Sequence, residues 1–433
     1  MEPDFIIGIG GIALLFILIF IGMPIAPAAM LIGFFGVLAV RDWNVAAALA
    51  GFLPHAAVSK YALSVIPLFI LMGYFANLSG LIRQLFRAGR LWVGQLPGGL
   101  AMATALSCAG FAAVSGSSVA TSAMMAETAV PEMERSHYDR KLALGVVAAS
   151  GTLAALIPPS ALIVIYGILT EQSIARLLIA GFLPGILSVG IYCLLIYART
   201  RFNPALAPKL PRATWKERFL SLKGLGGILV VALIVVGGIY LGVFSPTEAA
   251  GVGAFVLFIM ALASRELTFA KLVKACTETI RTTAMLFFII VGVFIFIRLL
   301  SYTGLSALIT NSILSLSLPP MMVVALILCL YVLLGMIMDP MGMLMLTLPI
   351  VIPAVSHFGF SLIWFGVMVV KMSEFGLITP PVGITCYAVK SAVPGARLED
   401  IFRGVVPFYI ADAITIAILF ALPQISLFLP STM

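Results

Sequence analysis

The chain alternates between long runs almost free of polar residues and short breaks rich in glycine, proline or charge. Apolar runs cover residues 5–21, 25–40, 142–169, 177–197, 224–241, 249–263 and 405–422. Several reach the roughly 20 residues that a helix needs to cross a bilayer. Residues 61–78 read as a further span, which Ser79-Gly80 ends. Between Arg41-Asp42 and Lys60 the pattern keeps no period, and an irregular segment is expected there. In residues 81–92, by contrast, Arg83, Arg87 and Arg90 recur at helical spacing with Leu81, Ile82, Leu85 and Phe86 between them. That is the pattern of an amphipathic helix at the membrane interface. The predicted class is an all-α polytopic membrane protein.

Two features break the pattern where a plain span would continue. Residues 100–114 and 119–130 are too short to cross. Joined through Ser115-Gly116-Ser117-Ser118, they read as a re-entrant helical hairpin over about 97–131, in preference to one span with inward-facing serines. The apolar run 142–169 then contains Pro158-Pro159. Proline lacks an N–H and its ring clashes one turn back, so the Ala154 and Ala155 carbonyls lose their helical partners. Free backbone groups at membrane depth are tolerated only against protein or a water-filled cavity.

The second half repeats these landmarks in order, at an offset of about 218–224 residues. Pro24 answers to Pro246, Ser79-Gly80-Leu81 to Thr303-Gly304-Leu305, Gly116 to Gly335 and Pro131 to Pro349. Pro158-Pro159 answers to Pro380-Pro381, and Gly181 and Pro184 to Gly404 and Pro407. The order and near-constant offset argue for an internal repeat. The expected organisation is a first repeat over 1–198, a basic linker over 199–223 and a second repeat over 224–433. The second repeat holds a hairpin at about 320–356, with its tip at Asp339-Pro340, and a broken helix over 361–391.

Composition agrees. Of 433 residues, 62% are hydrophobic and 10% charged, against about 25% charged in soluble domains. The start, Met1-Glu2-Pro3-Asp4, is acidic where a signal peptide is positive. The net charge of +8 reports orientation and not nucleic acid, since no basic cluster interleaves with aromatics. Linker 199–223 carries seven basic residues against Glu217 and is expected in the cytoplasm. Basic residues flank the first hairpin (Arg83, Arg87, Arg90; Arg135, Arg140, Lys141) but not the second. The hairpins are therefore expected to enter from opposite sides, as inverted-topology repeats, with both chain termini outside. The five cysteines are scattered through apolar segments and read as buried thiols, so no transition-metal site is expected. His55, His137 and His357 are far apart, and no catalytic motif accompanies them, which argues against an enzyme. A channel is the weaker transport reading, because paired midplane sites suit alternating access.

The chemistry of the breaks points to ions. Helix N-termini after the tips suit an anionic solute, and freed carbonyls with hydroxyls suit sodium. One sodium site is assigned to Ser115, Gly116, Ser117 and Ser118 with Pro158 and Pro159. The other is assigned to Gly335, Met338 and Asp339 with Thr379, Pro380 and Gly383. Solute between the tips would face Ser118, Thr121 and Ser160 from one half and Pro340, Pro381 and Thr385 from the other. A lone intramembrane carboxylate such as Asp339 costs about 2.5–3.5 kcal/mol on insertion scales, so it caps a helix, pairs or binds a cation. Glu374 either pairs with Lys371 one turn away or serves near the site, and Glu127 faces either the interior or the cytoplasmic turn.

The motifs GSSVATSAMMAETAVPEM (116–133), IPPS (157–160), GMIMDP (335–340) and LITPPVG (377–383) together resemble the large membrane subunit of tripartite ATP-independent periplasmic (TRAP) transporters. The resemblance covers essentially the whole chain. It implies an elevator-type fold of the ion-transporter superfamily in the bacterial inner membrane, with the helices at 81–92 and 305–316 as arms. It implies sodium-coupled uptake of carboxylates such as C4-dicarboxylates or sialic acids, with two or more coupling ions bound at the tips and broken helices. The implied partners are a soluble periplasmic solute-binding protein and a small membrane subunit. The latter is expected as a separate chain, because this one starts directly at its first span. The alternative is a divalent-anion/sodium symporter that needs no binding protein.

Overall fold

A computed structural model describes residues 3–315 and 317–433. Met1, Glu2 and Leu316 lie outside the described residues, and with them part of the acidic start and the end of the second expected arm. The described chain is helical throughout, with seven helical segments long and apolar enough to cross a membrane. The first half runs through α1 (Pro3–Phe20), α2 (Ile25–Val40), α3 (Trp43–Val58) and α4 (Val65–Leu78) to the amphipathic α5 (Leu81–Val93). A hairpin of α6 (Gly99–Ser115) and α7 (Ser118–Arg135) follows. Then come α8 (Arg140–Gly151), a break, α9 (Ala161–Thr170), α10 (Ile174–Ala180) and α11 (Phe182–Phe202).

The second half begins with α12 (Trp215–Ala232), which passes through a π-turn into α13 (Gly238–Tyr240). It continues through α14 (Pro246–Ala263), α15 (Phe269–Tyr302) and α16 (Leu305–Leu314). A hairpin of α17 (Pro320–Gly335) and α18 (Pro340–His357) comes next, then the broken pair α19 (Leu362–Leu377) and α20 (Ile384–Ala392), and finally α21 (Leu398–Ala421) and α22 (Gln424–Ser431).

Two sequence expectations change. Residues 43–58 are not irregular but form α3, because Asp42 caps it by accepting from the Val45 N–H at 2.9 Å and four alanines at 46–50 favour helix over the missing apolar period. At the offset between the halves, α3 and α4 together answer to the single 34-residue α15. The basic stretch 199–223 is also less of a linker than expected. Helix α11 runs to Phe202, and a Thr214–Glu217 capping box starts α12, so coil and a short 3-10 turn are confined to 203–214.

Packing between the halves is reciprocal. Pro24 opens α2 and Pro246 opens α14, while Gly80 (φ +72°) and Gly304 (φ +68°) cap α5 and α16. Helix α2 lies along α15, and its counterpart α14 lies along α4. The return helix α7 of the first hairpin packs on α20, and α18 of the second packs on α9. Close approach depends on glycine: a Cβ on Gly33 would lie 2.7 Å from the Phe296 nitrogen, and one on Gly292 2.4 Å from the Ala26 carbonyl oxygen. Small residues at such crossings let helix backbones meet, which is how membrane helices gain packing without a hydrophobic drive.

Helix α5 buries Leu81, Ile82, Phe86 and Ala88 and leaves Arg83, Arg87 and Arg90 exposed. Arg83 pairs with Glu266 at 2.7 Å and Arg90 with Glu132 on the first hairpin. Tyr138, in the turn after α7, accepts from the Leu100 N–H at 3.1 Å and so ties the start of that hairpin to its end. Burial raises the Tyr138 phenol above its ordinary pKa, which keeps it neutral. Large apolar side chains remain exposed on the outer helices, among them Phe20, Phe35, Leu194, Phe255 and Ile280, as a lipid-facing surface requires.

Candidate functional site at the hairpin tips

At the first tip α6 ends on Ser115, and Gly116 turns the chain with φ +60°. A left-handed residue there favours glycine, which has no Cβ to clash. Ser117 caps α7 by accepting from the Ala120 N–H at 3.4 Å, and the Ser115 and Thr121 hydroxyls lie 2.7 Å apart, joining the two arms. A Cβ on Gly116 would fall 2.6 Å from the Pro159 carbonyl oxygen. The tip therefore sits directly on the break between α8 and α9, where the Pro158-Pro159 bond is cis.

The second tip is built differently. Gly335 ends α17 in ordinary helical geometry, and Met336, Ile337 and Met338 make the turn to Asp339. The Asp339 Oδ2 accepts from the N–H groups of Met341 at 3.1 Å and Gly342 at 3.2 Å, so the lone carboxylate is the cap of α18. The Met336 carbonyl accepts from the Val382 N–H at 3.3 Å, which ties this tip to the second break. Gly335 and Gly376 meet at backbone distance. At the second break the left-handed residue is Gly383, with φ +66°, and Pro380-Pro381 is cis.

Carbonyls at the second break were expected to be free, but several are held by side chains. Thr379 donates to the Phe375 oxygen at 2.7 Å, Thr385 to Leu377 at 3.1 Å and Tyr409 to Ile378 at 3.0 Å. An unmet carbonyl in apolar surroundings costs free energy, and nearby hydroxyls relieve it. A donating hydroxyl keeps lone pairs of its own, so Thr379 is still able to coordinate a cation.

The tips meet at a cavity of about 290 Å³. Ser115, Gly116, Ser117 and Ser118 line it from the first tip, and Asp339 and Pro340 from the second. Gly73 and Tyr74 of α4 and Thr282 and Met285 of α15 close one side, and Ala161 of α9 and Glu374 of α19 contribute to the other. Of the six solute-facing candidates, only Ser118 and Pro340 reach it. Thr121, Ser160 and Thr385 are fully buried behind the wall, with Ser160 spent on capping α9 (Ile163 N–H at 3.3 Å). Pro381 is exposed elsewhere. Among the assigned ion ligands, Pro158, Pro159, Gly335, Met338 and Gly383 are buried off the cavity, Thr379 is half-buried and Pro380 exposed. None of these seven lines the cavity.

Lys371 does not pair with Glu374. Its Nζ lies 2.5 Å from the Asp412 Oδ1, which also accepts from the Tyr192 hydroxyl at 2.8 Å. Asp412 stands alone among the apolar residues of 405–422, and that isolation is the signal it carries in the sequence. Glu374 lines the cavity instead. Glu127 is exposed on α7. Among the described residues no three His, Cys, Asp or Glu side chains cluster as metal ligands.

Comparison with known proteins places this geometry. Residues 12–425 match the family model of the tripartite ATP-independent periplasmic transporter, DctM component. The chain is 36% identical over 373 residues to the C4-dicarboxylate TRAP transporter large permease protein DctM of Pseudomonas aeruginosa, covering 86% of each chain. It is 29% identical to the sialic acid TRAP transporter large permease protein SiaM of Vibrio cholerae, covering 95% of this chain and 96% of that one. Among solved structures, the YdaH transporter of Alcanivorax borkumensis shares the fold with a TM-score of 0.61 at 15% identity, over 89% of this chain and 90% of that one.

Proposed function

The chain belongs to the DctM-component family of TRAP transporters, the large permease subunits, and from that premise we propose that it carries out sodium-coupled uptake of a carboxylate across the bacterial inner membrane. The observation that carries this is the convergence of both tips on one cavity. The N-terminal ends of α7, at Ser118 to Ala120, and α18, at Pro340 and Met341, line it together. The α7 start presents the Ser118 and Val119 N–H groups and a positive dipole end of about half a charge, a fit for a carboxylate of a C4-dicarboxylate or a sialic acid, the solutes named for the two relatives. At the α18 start, by contrast, Pro340 has no N–H and Asp339 takes those of Met341 and Gly342. Sodium would sit at the tips themselves, at Ser115 to Ser118 against the Pro159 carbonyl and at Asp339 with Thr379. The reciprocal packing of the halves supports a two-fold relation between them, and the one-sided basic flanks support its being inverted. On this reading α5 and α16 are arms of an elevator, linking a scaffold to the part that carries the tips. A small membrane subunit and a periplasmic solute-binding protein complete the system, with linker 199–223 in the cytoplasm and both termini in the periplasm.

The test is uptake of labelled succinate and sialic acid into proteoliposomes holding the permease with its small subunit. Uptake of one of them is expected only with an inward sodium gradient and the binding protein present. Ser117→Ala and Thr379→Ala should each raise the half-saturating sodium concentration by about two- to tenfold, the weight of one neutral polar interaction. Unchanged sodium dependence in both variants would refute the assigned ion ligands. Uptake without the binding protein would favour the unaided divalent-anion/sodium symporter.

A further inference from the structure

Glu374 is 1% exposed, yet it lines the cavity. Neither of its carboxylate oxygens has a hydrogen-bond partner among the described residues. The neighbouring cation on its own helix is already committed: Lys371 and Asp412 neutralise each other, with Tyr192 completing the Asp412 Oδ1 shell. The remaining groups that bear on Glu374 are the Ser118 hydroxyl from α7 and the Asp339 carboxylate from α18, one neutral and one negative. No Lys or Arg side chain lines the cavity among the described residues. A buried carboxylate with no counter-charge is strongly unfavourable, and this one stands in the space proposed for an anion.

We propose that the Glu374 carboxylate and the Ser118 hydroxyl form a sodium site on the cavity wall, between the two tips and additional to the sites at the two breaks. The proposal rests on the reading of the cavity as that of a sodium-coupled anion carrier. A single carboxylate balances one monovalent ion, and the Asp339 charge is already assigned to the sodium at the second tip, so a divalent ion here would lack its second charge. The site explains coupling in electrostatic terms. While the site is empty, Glu374 in its ionised form repels an anionic solute; when sodium fills it, the wall is neutral and the helix dipoles decide. Sodium and solute then each raise the affinity for the other.

Dicyclohexylcarbodiimide tests this on the unaltered protein. The reagent takes up a protonated carboxyl as an O-acylisourea, which rearranges to a stable N-acylurea, so the whole reagent is added and nothing leaves. The purified permease complex is treated at mildly acidic pH in choline, potassium or sodium chloride, and the peptide holding Glu374 is examined by mass spectrometry. Labelling in choline and potassium that sodium suppresses is the expected result. Equal labelling in all three salts, or none in any, overturns the site. In parallel, Glu374→Gln should raise the half-saturating sodium concentration for uptake at least about tenfold, since even outer-layer partners of a bound metal carry tenfold or more. Unchanged sodium dependence in that variant also overturns it. If the variant does not fold, labelling of the unaltered protein decides alone. Sodium-independent uptake by the unaltered complex would overturn the sodium-coupled reading on which the site rests. Sodium-dependent uptake without protection of Glu374 removes only this site.

Discussion

Lys371 shows how little of a buried ion pair can be read along a chain. Glu374 is its neighbour one helical turn away, but Asp412, 41 positions on, is its partner at 2.5 Å. The two acidic groups divide the work because α21 and α11 approach one side of α19's Lys371 while Glu374 opens on the cavity. Removing one member of such a pair leaves the other charged and buried, at about 3–5 kcal/mol, whereas replacing both by apolar side chains is often neutral. Lys371→Met is therefore expected to lower the thermal midpoint of the detergent-solubilised protein sharply, and Lys371→Met with Asp412→Leu to recover most of the loss. A double variant as unstable as the single one would show that the pair is not what Lys371 supplies.

Among the elements, the helix breaks were legible because proline and glycine act locally: Gly116 and Pro158-Pro159 stand where the chain turns and parts, and Pro380-Pro381 where it parts again. Helix α3 was not legible, since its alanines mark no face and its cap is a single side chain. The construction of the second tip was also hidden, because an N-cap and an ion ligand call for the same isolated carboxylate. The crossings of long helices are set by backbone contact, which makes their glycines the sensitive positions. Gly292→Ala on α15 would put a Cβ 2.4 Å from the Ala26 carbonyl, a backbone atom that cannot turn aside. Overpacking of that kind costs about 1–3 kcal/mol. Gly10→Ala on α1, with nothing within 4 Å, should be neutral or stabilising by about 0.4–1 kcal/mol. Thermal unfolding of the two variants side by side checks the contrast, and equal midpoints would rule out close packing as the role of Gly292.

For the whole molecule, the reciprocal pairing of α2 with α15 and of α14 with α4 makes the halves halves of one body: each supplies the partner that the other's helix requires. The inverted arrangement predicts that linker 199–223 and the start of the second hairpin lie on opposite sides of the membrane. In a background without the five native cysteines, Lys209→Cys should react with an impermeant maleimide only after the cell is opened, and Ser317→Cys in intact spheroplasts. Reaction of both from the same side would refute the inverted topology. The sequence by itself determined that the chain lives in a bilayer, where its helices break, and that its halves echo one another, because hydropathy, proline and glycine act over a few residues. Only the tertiary structure decided which polar groups share a space. It set Ser118, Asp339 and Glu374 around one cavity, moved Thr121, Ser160 and Thr385 behind its wall, and gave Lys371 to Asp412. Those pairings join groups on helices far apart in the chain, and packing alone, not spacing, brings them within reach.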